Sequence, residues 1–215
     1  MFFSILSLTI VASPAEVTYR SKMMTETPTD YLTGQLLIAM PAMRDPRFAR
    51  TVIFVCAHND EGAMGLVLNR LIGSISFDAL MEELDIAREE LPVPWSAPSI
   101  HFGGPVETSR GFVLHSADYT SEETITFESH LAMTSTVEIL RDIAIGCGPR
   151  QAMLALGYAG WGPGQLDEEM QDNAWLNVGA DDDIIFDQDL DSKWERALAK
   201  IGVSASLLSS EAGRA

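Results

Sequence analysis

A chain of 215 residues with 47% hydrophobic and 21% charged side chains is an ordinary globular composition, long enough to bury one sizeable core; this excludes a disordered or fibrous protein. Thirty-one acidic against 14 basic residues give a net charge of −17, a field that repels phosphate backbones and anionic lipid, so neither direct nucleic-acid binding nor membrane binding is expected. Two cysteines make no disulfide framework, and a chain of this length needs none, which points to a reducing cytoplasm.

The first segment, 2–12 (FFSILSLTIVA), imitates a signal-peptide core but is too short to span a bilayer. No Lys or Arg precedes it; the first basic residue is Arg20. Residues 1–23 are therefore expected to be a non-native extension, with the physiological start at Met24 or Met23, one domain over 24–203 and a flexible tail over 204–215. Continuous apolar runs at 35–40 (QLLIAM) and 51–58 (TVIFVCAH) predict strands buried on both faces. Between them Pro41 and Pro46 break regular structure, and Arg44, Arg47 and Arg50 form a basic cluster. The turn NDEG at 59–62 leads to a third strand over 63–69, a hairpin candidate.

Ser76 caps a predicted helix whose Phe77, Leu80, Met81 and Leu84 share one face, and Pro92, Pro94 and Pro98 mark the loop after it. Strands are predicted at 100–102, 111–115 and 124–127, joined by antiparallel connections, and another at 151–158. Two S-x-x-E pairs, Ser135 with Glu138 and Ser192 with Glu195, read as capping boxes that open helices. The second helix places Trp194, Leu198 and Ile201 together and stops at Gly202. Strands outnumber helices and do not strictly alternate with them, so the expected class is α+β with a mixed sheet, a doubly wound fold being the lesser alternative.

Among chemistry-bearing residues, Cys56 and His58 stand two apart in a strand and are expected on one face, with Cys56 the more readily read as a small buried hydrophobe. The stretch 157–164 (GYAGWGPG) ahead of an acidic helix invites a phosphate-loop reading. It has no G-K-[ST], Gln165 stands where a third glycine belongs, and Pro163 lacks an N–H, so a tight strand-to-helix turn is favoured. His101, His115 and His130 lack metal-ligand spacing, and Asp181 to Asp183 read as a solvated acidic turn; no metal or other cofactor is expected. No nucleophile elbow occurs. Charge is uneven: residues 161–215 carry 12 acidic and 4 basic side chains, whereas 31–75 carry 3 and 4.

Four segments, PAMRDPRFARTVIFVCAHNDEGAMGLVLNR, FGGPVETSRGFVLH, LGYAGWGPGQLDEEM with AWL, and a final IIF…W…AL, occur in this order between Leu36 and Gly202. Together they resemble the AlgH (YqgE-type) family of bacterial proteins. The resemblance implies a cytoplasmic α+β protein with a compact mixed β-sheet, partly barrel-like and surrounded by helices. It also implies the family's label of transcriptional regulator, with no catalytic residues to carry across. The expected function is a non-catalytic regulatory or interaction protein with an unidentified protein partner, acting on transcription indirectly, since neither a helix-turn-helix nor a basic helix is present. The competing expectation is a small-molecule-binding protein or enzyme with a pocket around His58, Arg70 and Trp161, in which Asp45, His58, Asn69, Arg70, Trp161 and Gln165 surround one concavity. There His58 would titrate, Arg70 hold an anionic group, Asn69 and Gln165 hydrogen-bond, and Trp161 stack.

Overall fold

The computed structural model describes residues 31–86, 98–127 and 130–204. The predicted N-terminal extension, Pro92 and Pro94, and nearly all of the predicted tail lie outside the described residues. Nine strands form one sheet: β1 (Gln35–Ala39), β2 (Val52–Asn59), β3 (Gly62–Val67), β4 (Ile100–Phe102), β5 (Val106–Ser116), β6 (Ile125–Phe127), β7 (Leu131–Thr134), β8 (Ala152–Trp161) and β9 (Trp175–Gly179). Their order is β6-β7-β5-β8-β3-β2-β1-β9, with β4 paired to β8. Every pairing is antiparallel except β4 with β8. The sheet curls into a half-barrel, an α+β architecture. Its mostly antiparallel pairing rules out the doubly wound alternative, which requires parallel crossovers.

β2 and β3 form the predicted hairpin, Asn59 opposite Gly62, with the Asn59 side chain accepting from the Glu61 N–H at 2.8 Å. β8 joins the two halves of the sheet. Its first residues pair with β4 and β5, its last with β3, and Gly157 at φ +70° lies between. The Gly103–Gly104 pair passes directly against this bend. A Cβ on Gly103 would sit 2.1 Å from the Gly157 carbonyl oxygen, and one on Gly104 2.0 Å from the Tyr158 carbonyl carbon. The double glycine is thus required by backbone-on-backbone contact.

Helices cover the sheet in three places. α1 (Phe77–Glu83), capped by the Ser76 hydroxyl as predicted, and α2 (Val137–Ala144) bury Leu80, Met81, Ile139, Leu140 and Ile143 against Ile100, Val113 and Leu154. α3 (Gln165–Gln171) inserts Leu166 among Leu37, Ile53, Val55 and Trp161. α4 (Asp182–Ile185) and α5 (Leu190–Lys200) close the opposite face, where Trp194, Ala197 and Leu198 pack with Leu36, Ile38, Phe54 and Phe112.

Several local expectations need correction. Thr136, not Ser135, occupies the N-cap of α2 and makes no side-chain cap bond, while Glu138 pairs with Arg141 one turn on. α5 begins at Leu190 because the Asp189 carboxylate takes both the N–H and the hydroxyl of Ser192, so the second S-x-x-E pair lies inside the helix. Asp181 to Asp183 open α4 instead of a plain turn. Among the described residues no helix is long and apolar enough to cross a membrane.

Candidate functional site

The six candidate residues fall into two groups at opposite ends of the β2–β3 hairpin. At the turn end, His58 is opposite Ala63 and Ala63 opposite Trp161, so the three lie on one rung and share a face. A bulge between Val55 and Ala57 shifts the alternation, which separates the Cys56–His58 pair. Cys56 turns into the cluster with Phe54 beneath α5, where burial pushes its thiol pKa up and keeps it an unreactive thiol. His58 turns toward α3.

His58 is buried, at 4% exposure. Its Nδ1 accepts from the Leu32 N–H at 3.2 Å, its Nε2 lies 3.6 Å from the half-exposed Asp167 carboxylate, and the Tyr31 ring meets it edge-on. Because the Leu32 N–H can only donate, Nε2 carries the ring proton and points it at Asp167. Tyr31 also donates its hydroxyl to Asp60 at 2.5 Å. The imidazole thereby ties the chain preceding β1, the hairpin and α3 together.

Beside it, Glu169 is a hub that the sequence did not suggest. Its Oε2 accepts from the indole N–H of Trp161 at 2.9 Å and of Trp175 at 2.8 Å, and its Oε1 from the Gln165 amide at 2.8 Å. The other end of the Gln165 amide accepts from the Gly162 N–H at 3.0 Å. That bond occupies a backbone donor an anion would need, so the Gly-rich stretch is the tight strand-to-helix connection expected of it.

At the far end stand Asp45, Asn69 and Arg70. Asn69 accepts from the Val52 N–H at 3.0 Å and donates to the Arg50 carbonyl at 2.9 Å. Arg70 donates to the carbonyls of Ala49 at 2.8 Å and Pro46 at 3.2 Å. Asp45 accepts from the backbone N–H and the guanidinium of Arg47, whose side chain holds the Asp45 carboxyl below its ordinary pKa. Arg50, in the left-handed region at φ 55°, stacks on Trp194 at 4.5 Å and pairs with Glu195 at 2.8 Å. These bonds shape the 41–50 segment and fasten it to β3 and α5.

From His58 to the Ile53–Val67 rung is five residues of strand, about 16 Å at ~3.3 Å per residue, and Asn69 and Arg70 lie beyond it. The antiparallel hairpin sets the end of β3 beside the start of β2, so Arg70 and Asn69 do not share a concavity with His58, Trp161 and Gln165. The expected single site divides into two latches.

Two buried polar groups went unsuspected. His115 donates from Nδ1 to the Ser116 carbonyl at 2.9 Å, so its Nε2 must accept the Thr134 hydroxyl proton, also at 2.9 Å; Thr134 in turn accepts from Thr124. In α5 Lys193 is fully buried and donates to the Ile185 carbonyl at 2.9 Å. The signal for Lys193 was available: it stands four residues before Ala197 on the stripe of α5 that faces the sheet. Among the described residues no group of three or more His, Cys, Asp or Glu could hold a metal ion.

Comparison with known proteins places this architecture. A family model described as AlgH-like matches residues 36–206. A UPF0301 protein of Afipia carboxidovorans is 54% identical over 192 residues, 87% of this chain and 91% of that protein. Another from Beijerinckia indica is 55% identical over 190 residues, covering 86% and 93%. The solution structure of the AlgH protein from Pseudomonas aeruginosa superposes with a TM-score of 0.68 at 42% identity, over 89% of this chain and 100% of that one. A Corynebacterium diphtheriae protein, 20% identical with a TM-score of 0.63 over 87% of this chain and 95% of its own, shares the fold. With nearly all of its described sheet inside the matched region and relatives at this identity, the chain belongs to the AlgH-like family.

Proposed function

We propose that this chain is a non-catalytic regulatory or interaction protein of the cytoplasm, whose effect on transcription runs through a protein partner and not through DNA. One observation carries the reading: the polar side chains of its longest motifs are spent on the protein's own backbone and loops. Asn69 uses both ends of its amide, Gln165 likewise, Arg70 caps loop carbonyls, and Trp161 gives its N–H to Glu169. Side chains so engaged hold surfaces in shape and turn their donors and acceptors to the protein itself.

Charge supports the partner class. Asp60 and Glu61 at the β2–β3 turn adjoin α3 with Asp167 and Glu168, so the hairpin tip meets the helix as an acidic face suited to a basic protein segment. A net charge of −17 opposes a nucleic-acid backbone.

Fluorescence anisotropy of labelled duplex DNA at moderate salt is the test against the regulator label read literally. No saturable signal is expected; sequence-selective saturation by the purified protein overturns the proposal. Affinity purification of the tagged protein from its native cytoplasm should in parallel recover one stoichiometric protein partner, released by salt as an acid–base interface requires.

A further inference from the structure

The sheet ends on two open edges, and they differ. β6 is three residues long, and so short an edge offers little to pair with. β9 is five residues long and pairs with β1 in one unbroken register, from Gln35 opposite Gly179 to Ala39 opposite Trp175. Its sequence, WLNVG, carries none of the devices that ordinarily blunt an edge: no charge, no proline and no bulge.

The direction of its free backbone groups follows from one bond. The Met40 N–H donates to the Ala174 carbonyl at 2.9 Å, which extends the β1–β9 ladder by one rung. Backbone groups alternate sides along a strand, so Ala174, Leu176 and Val178 face β1, while Trp175, Asn177 and Gly179 present their N–H and carbonyl groups outward. Among the described residues no strand or loop backbone pairs with that outer side. The edge also has two unlike faces. Leu176 and Val178 are half-buried against the core that α4 and α5 close, whereas Asn177 is exposed on the other face and donates to the Gln35 side chain at 2.7 Å.

Acids flank this neutral edge. Asp172 precedes it and Asp183 follows it, both exposed and without an ion pair among the described residues, while Asp181 pairs with Lys200 and Asp182 lies 3.6 Å from His130. These charges decide what fits. Antiparallel pairing of β9 with a second copy, Trp175 against Gly179, would bring Asp172 of one chain to the Asp181 to Asp183 run of the other, in a protein already at −17. A strand with cations at its ends meets attraction at both.

We propose that the free edge of β9 is a docking site for an extended basic segment of a partner protein, which adds a further strand to the sheet. The segment's backbone bonds Trp175, Asn177 and Gly179, its alternate apolar side chains continue the Leu176 and Val178 face, and its end cations meet Asp172 and Asp183. This surface is separate from the acidic face at the hairpin tip, so either reading can fail while the other stands.

The probe is the capped heptapeptide Lys-Val-Thr-Val-Thr-Val-Lys, titrated into the full-length ¹⁵N-labelled protein at neutral pH and moderate salt, with amide hydrogen exchange followed residue by residue. In the free protein the amides of Leu176 and Val178 should exchange slowly and those of Trp175, Asn177 and Gly179 fast. The peptide should slow the second set saturably and leave the first unchanged. The analogue with Glu in place of both Lys should bind at least about tenfold more weakly, because two attractions become two repulsions. Asn177→Pro removes an outward N–H and no ladder bond, so this variant should keep its amide dispersion and lose the peptide, while Asn177→Ala retains it. The exchange pattern of the unmodified protein stands even where a variant fails to fold. Slow exchange of all five amides without peptide, no saturable protection in β9, protection at Asp60 and Asp167 in its place, or equal binding of the two peptides overturns the proposal.

Discussion

A Gly104→Ala variant should lose at least ~3 kcal/mol of stability, a large part of what a domain of this size holds in reserve. The added Cβ would lie 2.0 Å from the Tyr158 carbonyl carbon and 2.2 Å from the Ala159 nitrogen, both backbone atoms of the strand that joins the two halves of the sheet. A flexible side chain could yield to such a contact; a paired strand moves only by giving up its ladder. Gly73 is the control, since nothing lies within 4 Å of a Cβ built there. Urea unfolding followed by circular dichroism should show Gly73→Ala within about 0.5 kcal/mol of the unmodified protein and Gly104→Ala largely unfolded or shifted to much lower urea. A near-unchanged midpoint for Gly104→Ala would contradict the backbone-contact account of the double glycine.

Stability should also fall as the pH drops from 6.5 toward 4, before most carboxylates titrate. Burial, with the nearby charge of Lys193, lowers the His101 pKa from 6.5 to about 4. The unfolded chain therefore binds a proton in this window that the folded chain refuses. Stability from this group is complete above pH 6.5 and is lost progressively below it, ~3 kcal/mol in all. His115 acts in the same direction, since burial lowers its pKa too and the Thr134 hydroxyl already donates to its Nε2. At the alkaline side burial lowers Lys193 from 10.5 to about 8, so its contribution rises with pH above 8. Cys56 and Tyr119, whose pKa values burial raises, oppose that rise above about pH 9. Urea unfolding free energies at a series of pH values between 7 and 4 check the acid limb. His101→Phe should flatten it, and a profile that is level down to pH 5 in the unmodified protein would contradict the buried neutral imidazole.

What could be read from the sequence was whatever depends on short-range pattern. β1 and β2 announced themselves as unbroken apolar runs, and the NDEG turn set the hairpin register. The stripe of Leu80 and Met81 behind Ser76 gave α1 and its cap. Features decided by pairing across the sheet were not legible. β7 is only four residues long, and β9 is an edge strand lying against β1 in which only Trp175 is buried. Nothing local distinguishes Ser192 at an N-cap from Ser192 one turn inside; the Asp189 carboxylate decides between them. The candidate site suffered from the same limit. The bulge at Val55 reverses the face on which His58 lies, and antiparallel pairing carries Asn69 and Arg70 to the other end of the hairpin. Glu169 stands in a run of acids, and only the register of Trp161 and Trp175 makes it the hub.

The account's central claim is that the motif residues are two separate structural latches, and unfolding free energies of Asn69→Ala, Glu169→Ala and the double variant test it most directly. Asn69→Ala leaves the Val52 N–H and Arg50 carbonyl without their partners, and Glu169→Ala leaves two indole donors and an amide without theirs. Each should cost ~2 kcal/mol, by the loss of hydrogen bonds at least partly shielded from water. Because the two residues sit at opposite ends of the hairpin, the double variant should lose the sum of the two to within ~0.5 kcal/mol. Single variants as stable as the unmodified protein would show the side chains to be free for a ligand, and strong coupling in the double variant would restore the single shared site.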